Sequence, residues 1–429
     1  MGSSWRNWRQ FAFVLATFYS ALSYAIPTTS GQADLIFKNG RVWTEENRSY
    51  HWSQAISIRN GIISRIGDNK TVEAETGPLT RVIDLKGKVV LPGFNDAGSQ
   101  LFPILGDDRI SSLKALQKKY NELGITTLQG GVIEKDDEIR AINALAQTKQ
   151  LTVRFGVWGK IDRLQEYINL REKYSKLAPD WLYFGGVFGS IDGHLTDKSA
   201  ALLDNYLDSE TKGDSKLTQE KLEEIILAAN KEKVPVILHA AGDHAVSMAV
   251  TAMMMVKRKL FNSHVRNRVL AAEVVPPQIY SRMQNLNVVV TAYPTQALSN
   301  FDASQLLQKQ KLKHMFSWKT FLAHNIPLTI GSETEVIDPI KNFLAITSGP
   351  NHLRVEQALN AYTLQASRTM GEEHLKGSLR EGKYADLVVL ENDPFRQRKK
   401  LEKNAAPILF TVVDGKIVYE KNAELSQTP

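Results

Sequence analysis

A buried strand over residues 234–239 ends on His239, and imidazole is the side chain whose charge changes closest to neutral pH. Asp192 and His194 precede this strand in the connection that leads to it, and His244 follows it. Another strand end runs Phe94-Asn95-Asp96-Ala97 and then Gly98-Ser99-Gln100; none of those last three residues is a strong metal ligand or a catalytic acid or base. The chain has no cysteine, which excludes disulfides, thiolate metal sites and a cysteine nucleophile. Ser99 lacks the Gly-x-Ser-x-Gly elbow of an activated serine, and no His–acid pair can be assigned to it.

With 429 residues, 43% hydrophobic and 23% charged, the chain has room for one large domain and a smaller one. Its net charge of +7 comes from dispersed basic residues, with short clusters such as Lys257-Arg258-Lys259. That distribution reads as a solvated face and not as a nucleic-acid surface. At the N-terminus, Arg6 and Arg9 precede an apolar run over residues 11–22 and then Ser23-Tyr24-Ala25. This is the pattern of a signal peptide cleaved after Ala25, and it predicts a secreted or periplasmic protein. The alternative is an uncleaved N-terminal anchor. No membrane span is expected after cleavage.

The elements that position the strand ends follow from periodicity. Residues 33–43, 55–67 and 81–90 read as strand pairs around Gly turns, a small β-sandwich. From Pro92 onward, about eight short apolar strands alternate with helices over about 280 residues, which predicts parallel βα units closing into a barrel. Residues 384–390 and 409–419 return to β structure, and their natural partner is the N-terminal sheet with its open edges. The expected fold class is therefore a (β/α)8 TIM barrel with a small discontinuous β-sandwich built from both chain ends. The expected boundaries are 1–25 signal peptide, 26–91 sandwich, 92–373 barrel and 374–429 sandwich.

An ordered set of motifs resembles the amidohydrolase superfamily, in its amidohydrolase family 3 branch, across nearly the whole mature chain. These are Leu35 to Gly40, Leu91-Pro92-Gly93-Phe94-Asn95-Asp96-Ala97, Leu123 to Thr127, Asp192-Gly193 with Ala200-Ala201-Leu202, and His239 to Asp243. Gly331-Ser332, Gly377-Ser378-Leu379, Gly382 to Leu390 and Val413 to Tyr419 complete the set. The resemblance implies hydrolysis of non-peptide C–N bonds in amides, ureides or N-acyl amino acids by one or two divalent metals at the C-terminal mouth of the barrel. A metal there polarises the carbonyl and acidifies water while a carboxylate moves the proton.

Position by position, however, the implied ligands are thinned. Gly98 and Gln100 stand where the resemblance implies a His-x-His pair, Phe188 where it implies a lysine, and Ala271 where it implies a histidine. His239 is retained, and Glu333 replaces an aspartate. Two ligands are fewer than the three that a catalytic zinc takes from the protein. The expectation is a pseudoenzyme or small-ligand binder without a metal. Its pocket would be lined by Gly98, Gln100, Phe188, Asp192, Ala271 and Tyr293. The alternatives are a C–N hydrolase with a rearranged zinc or other divalent site, recruiting Asp192, His194 or His244, and a metal-free enzyme with His239 and Glu333 as base and acid. Glu333 and Glu335 could equally form a solvated pair on a loop. The expected partner is a small molecule resembling an amide, ureide or N-acyl amino acid, with no nucleic acid.

Overall fold

The computed structural model describes residues 31–46, 49–99, 108–133, 135–295, 302–333, 337–349, 351–396 and 408–421. Residues 1–30, where the signal peptide is expected, and Gln100 and Glu335 lie outside them. The first strands are β1 (Leu35–Lys38), β2 (Arg41–Glu46), β3 (Ser49–Ser53), β4 (Ala55–Arg59), β5 (Ile62–Gly67), β6 (Arg81–Asp84) and β7 (Val89–Pro92). The barrel strands are β8 (Phe94–Asp96), β9 (Ile125–Val132), β10 (Arg154–Lys160), β11 (Leu182–Ser190), β12 (Val236–Ala240), β13 (Arg268–Ala271), β14 (Val289–Ala292) and β15 (Leu328–Ile330). The chain ends with β16 (Leu387–Leu390), β17 (Ile408–Val413) and β18 (Lys416–Glu420).

Two sheets face each other outside the barrel. One has the order β5-β4-β1-β6, and the other β18-β17-β16-β7-β2-β3, so the C-terminal strands pair onto an N-terminal one. Their shared core takes Phe37, Ile56 and Ile58 from one sheet and Val90, Val389 and Phe410 from the other. Two of the three expected N-terminal hairpins are corrected. Strands β1 and β2 belong to different sheets, as do β6 and β7. For β1 and β2 the reason is visible in the turn at Asn39-Gly40. A type I′ hairpin needs positive φ at both central residues, and Asn39 has φ 55° while Gly40 is not left-handed. Gly40 serves a close approach instead: a Cβ there would lie 2.5 Å from Leu85 Cδ1. At Asn60-Gly61, with φ 52° and 78°, both conditions hold, and β4 and β5 do form an antiparallel hairpin.

The barrel strands pair in sequence order from β8 to β15, each parallel to the next. Sheets covered on both faces have strands that read as continuous apolar runs, and every residue of β12 is buried. The ring closes between its first and last strands. Ala97 N–H donates to Ile330 O at 2.9 Å and Glu333 N–H to Gly98 O at 2.8 Å. Gly331 permits that seam, because a Cβ on it would lie 2.8 Å from Gly98 Cα.

Buried cations tie the layers together. The Arg154 guanidinium on β10 makes a two-pronged pair with Asp386, beside β16, at 2.7 and 2.9 Å. Inside the barrel, Arg268 donates to Gln129 Oε1 at 2.9 Å, to Thr291 Oγ1 at 3.0 Å and to the Ala97 carbonyl. Burial pushes the Arg268 guanidinium down to about 10. No helix among the described residues is long and apolar enough to cross a membrane.

Candidate functional site

His239 is the fourth residue of β12, at the C-terminal mouth of the barrel, and is only 3% exposed. Two carboxylates flank its ring. Nδ1 lies 3.7 Å from Asp192 Oδ1 and Nε2 lies 3.5 Å from Glu333 Oε1. Neither ring nitrogen has a partner at hydrogen-bond geometry. Burial pushes the imidazole down, but Asp192 and Glu333 outweigh it and hold the group at about 9. Asp192 itself is held by the backbone. Its carboxylate accepts from the N–H groups of Ala201, Ala241 and Gly242 at 3.0, 3.0 and 2.9 Å. With that many donors already bound, Asp192 orients His239 and is a poor candidate for reaction.

Glu333 follows β15 and is 9% exposed, so it is not part of a solvated loop pair. Its φ of 61°, with 69° at Ala271 and 45° at Ala272, puts non-glycine residues in the left-handed region at the ends of β13 and β15, which flank β14. Such backbone costs on the order of 1–3 kcal/mol per residue and persists where its surroundings enforce it.

His194 completes the cluster. Gly193 turns the chain after Asp192, and the Asp192–Ala201 bond folds the loop back over the mouth. His194 Nδ1 comes to 3.8 Å from Glu333 Oε1, and its ring centroid to 5.3 Å from that of His239. One ligand atom from each of His194, His239 and Glu333 lies within 4.8 Å of the others. Around a tetrahedral zinc the donors sit about 3.4 Å apart. A small contraction therefore brings the three to coordination, and the His194 side chain, 47% exposed, has room to swing. Two imidazoles, a carboxylate and an open position form a known catalytic zinc set. His244 takes no part; it lies on the helix Asp243–Lys259.

Glu273 is a residue that the sequence reading missed. It follows β13, is 5% exposed, and burial pushes its carboxyl up to about 7, with the His239 charge opposing and Glu333 and Asp192 adding to the rise. Its signal was a lone acid in the apolar run Val269-Leu270-Ala271-Ala272-Glu273-Val274-Val275.

At the remaining positions apolar packing takes the space. Phe188, half-buried, stacks on Trp158 at 5.8 Å. Ala271 and Tyr293 join Trp158, Leu270, Leu202 and Met315 in one cluster. A Cβ added to Gly98 would meet Thr291 Cγ2 at 3.0 Å and Tyr293 Oη at 3.1 Å. Gly98→His is therefore expected to destabilise the fold by roughly 1–3 kcal/mol through overpacking. Tyr293→Ala in the same chain should recover part of that loss, as read from urea midpoints; an unchanged midpoint for Gly98→His alone would show that the space is open. The wall above the cluster comes from the connections after β11 and β14. Leu207 N–H donates to Leu306 O at 2.8 Å, and Lys311 pairs with Asp243 and, at 3.0 Å, with Asp204.

The amidohydrolase family profile matches residues 101–419. This chain belongs to amidohydrolase family 3. It is 28% identical over 288 residues to "Protein LONG AFTER FAR-RED 3" of Arabidopsis thaliana, covering 63% of this chain and 49% of that protein. Over 275 residues it is 27% identical to "Putative amidohydrolase YtcJ" of Bacillus subtilis (strain 168), covering 60% of this chain and 51% of that one. The chain thus spans about half the length of the curated relatives it matches. An uncharacterized metal-dependent hydrolase from Pyrococcus furiosus shares the fold with a TM-score of 0.69 at 18% identity, covering 84% of this chain and all of that one. In this family 3 chain, then, the strand-five position keeps its histidine and the strand-eight position an acid, and the added imidazole comes from a loop.

Proposed function

We propose that this family 3 chain is a hydrolase of a small amide-like C–N compound that works with one divalent cation. The observation that carries the reading is the convergence of His194, His239 and Glu333. A cation bound there would polarise the scissile carbonyl and acidify a water. The chain's own groups divide the remaining work. Asp192, fixed by three backbone N–H groups, orients the His239 ring. Glu273, on the same rim, holds a carboxyl that exchanges its proton near neutral pH. The apolar cluster of Trp158, Phe188 and Tyr293 offers a wall for an uncharged substituent. A cation-free acid–base enzyme meets a physical objection: at about 9, His239 is an imidazolium at neutral pH and cannot serve as the base.

A second reading, a non-hydrolytic small-ligand binder without metal, is favoured by a different observation. Thr291 and Tyr293 crowd Gly98, and apolar side chains stand at two further ligand positions. Metal analysis of the purified protein followed by turnover of N-acyl amino acids, hydantoins and ureas decides between the two. One equivalent of zinc or a similar cation with turnover supports the hydrolase; a metal-free protein without turnover supports the binder. Export with cleavage after Ala25 is part of the proposal, and N-terminal sequencing of the exported protein tests it.

A further inference from the structure

A cleft with a volume of about 890 Å³ opens at the end of the barrel opposite the His239 site. Tyr183, Pro235 and Arg266 in its wall mark the N-terminal ends of β11, β12 and β13. It is therefore separate from the His239 site. Volumes of this size are those of sites for small organic ligands.

The lining is strongly one-sided in charge. Lys231, Lys233, Lys259, Arg266 and Arg368 face one carboxylate, Glu373. Among the described residues, no carboxylate lies within ion-pair distance of any of the five. Part of this charge has a structural reason. Lys231, Lys259 and Arg368 sit in the last turns of the helices Gln219–Lys231, Asp243–Lys259 and Leu364–Thr369. A helix C-terminus carries about half a negative charge, so three such ends and Glu373 still leave about two and a half positive charges. Arg266 and Arg368 lie half-buried. Arg266 Nη1 donates to the Arg368 carbonyl at 2.7 Å, and its Nε is buried with no partner. A half-buried guanidinium without an acid is a costly arrangement in water and a good one against a phosphate, whose oxygens match the planar fork. On the rim, the Phe261 ring is 76% exposed.

The geometry points to a binding site for a nucleotide-sized organic polyanion, with its phosphates on Arg266 and Arg368 and its ring against Phe261. The lysines Lys231, Lys233 and Lys259 draw the anion in, and this contribution is screened by salt. The cluster around Lys257-Arg258-Lys259 thereby has a role at the edge of a cleft.

The test is calorimetric titration of the full chain with ATP and, separately, with inorganic pyrophosphate, at low and at high salt. Saturable ATP binding is expected, weakened by salt, with pyrophosphate weaker because it lacks the ring. Arg266→Gln and Arg368→Gln should each weaken ATP binding by about tenfold or more, while His239→Ala leaves it unchanged. Absence of saturable binding at millimolar ATP overturns the site, as does binding that survives both substitutions. If the arginine variants melt early, Lys233→Glu and Lys259→Glu, on exposed positions, replace them. Those must weaken ATP binding several-fold, and unchanged affinity overturns the site in the same way. Failure here leaves the hydrolase reading intact, because the two sites occupy opposite ends of the barrel.

Discussion

Under the proposed hydrolase function, replacing His239 with alanine is expected to abolish divalent-cation binding and hydrolysis. Three protein ligands are the usual minimum for a catalytic zinc, and His239 is the only buried imidazole among the three residues that converge. Even changes to groups that merely orient a ligand cost about 10–100-fold in affinity, so loss of a ligand itself should exceed that range. Zinc titration after exhaustive dialysis reads the effect. Glu333→Gln preserves shape, removes the charge and should fall in the same class. Asp192→Asn leaves all three ligands in place but weakens the orientation of His239, so it should lie between wild type and His239→Ala. The pH dependence adds a distinct signature. Asp192 and Glu333 hold the cation-free imidazole at about 9, despite burial. Zinc must displace that proton, so apparent affinity should rise by up to tenfold per pH unit from neutrality toward about 9 and level off above it. A wild-type chain that takes up no zinc at any pH, and whose ligand binding ignores His239→Ala, would leave the non-hydrolytic binder as the better reading.

Asp386→Ala should cost about 3–5 kcal/mol of folding stability, because it leaves the buried Arg154 charge with only its longer, 3.8 Å contact to Asp414. Arg154 is 1% exposed and its two bonds to Asp386, at 2.7 and 2.9 Å, join the barrel to the outer sheets. Loss of Asp386 also removes an acceptor for Asp414 N–H at 2.9 Å. The Arg154→Met, Asp386→Leu double variant should recover most of the loss, since well-packed apolar pairs of similar volume often match a buried ion pair. Urea denaturation at neutral pH measures both. Burial pushes the Asp386 carboxyl up, but Arg154 outweighs it and holds the group below its ordinary value. A depressed value in the folded state means that acid favours unfolding. The stabilisation is present above the unfolded value, about 3.9, and is lost as pH falls through the folded one. The gap between wild type and Asp386→Ala should therefore narrow below about pH 4. Equal stabilities for the two at neutral pH would contradict the account.

Local signals reach as far as their neighbours in the chain. The unbroken apolar run of β12 and its alternation with helices made the parallel barrel legible. The double left-handed turn at Asn60-Gly61 made the β4–β5 hairpin legible. The turn at Asn39-Gly40 was misread because its dipeptide is identical; contact with Leu85, far along the chain, sends it to another sheet. The candidate site divides in the same way. His239 and Glu333 were readable because each ends a strand within a recognisable motif. His194 could be named only as one of three possible recruits, with Asp192 and His244, since its place depends on Asp192 capturing Ala201 and on the closure that brings Glu333 beside β8.

By itself the sequence determined the fold class and the family, since both are written in residue types at fixed spacing. Only the tertiary structure decided what stands together at the strand ends. It moved a loop imidazole up to Glu333, filled the space at Gly98 with Thr291 and Tyr293, and buried Glu273 on the same rim. The physical reason is that a barrel's chemistry lies at strand ends brought together by closure of the ring. Distances there are set by packing across the barrel, which no local pattern records.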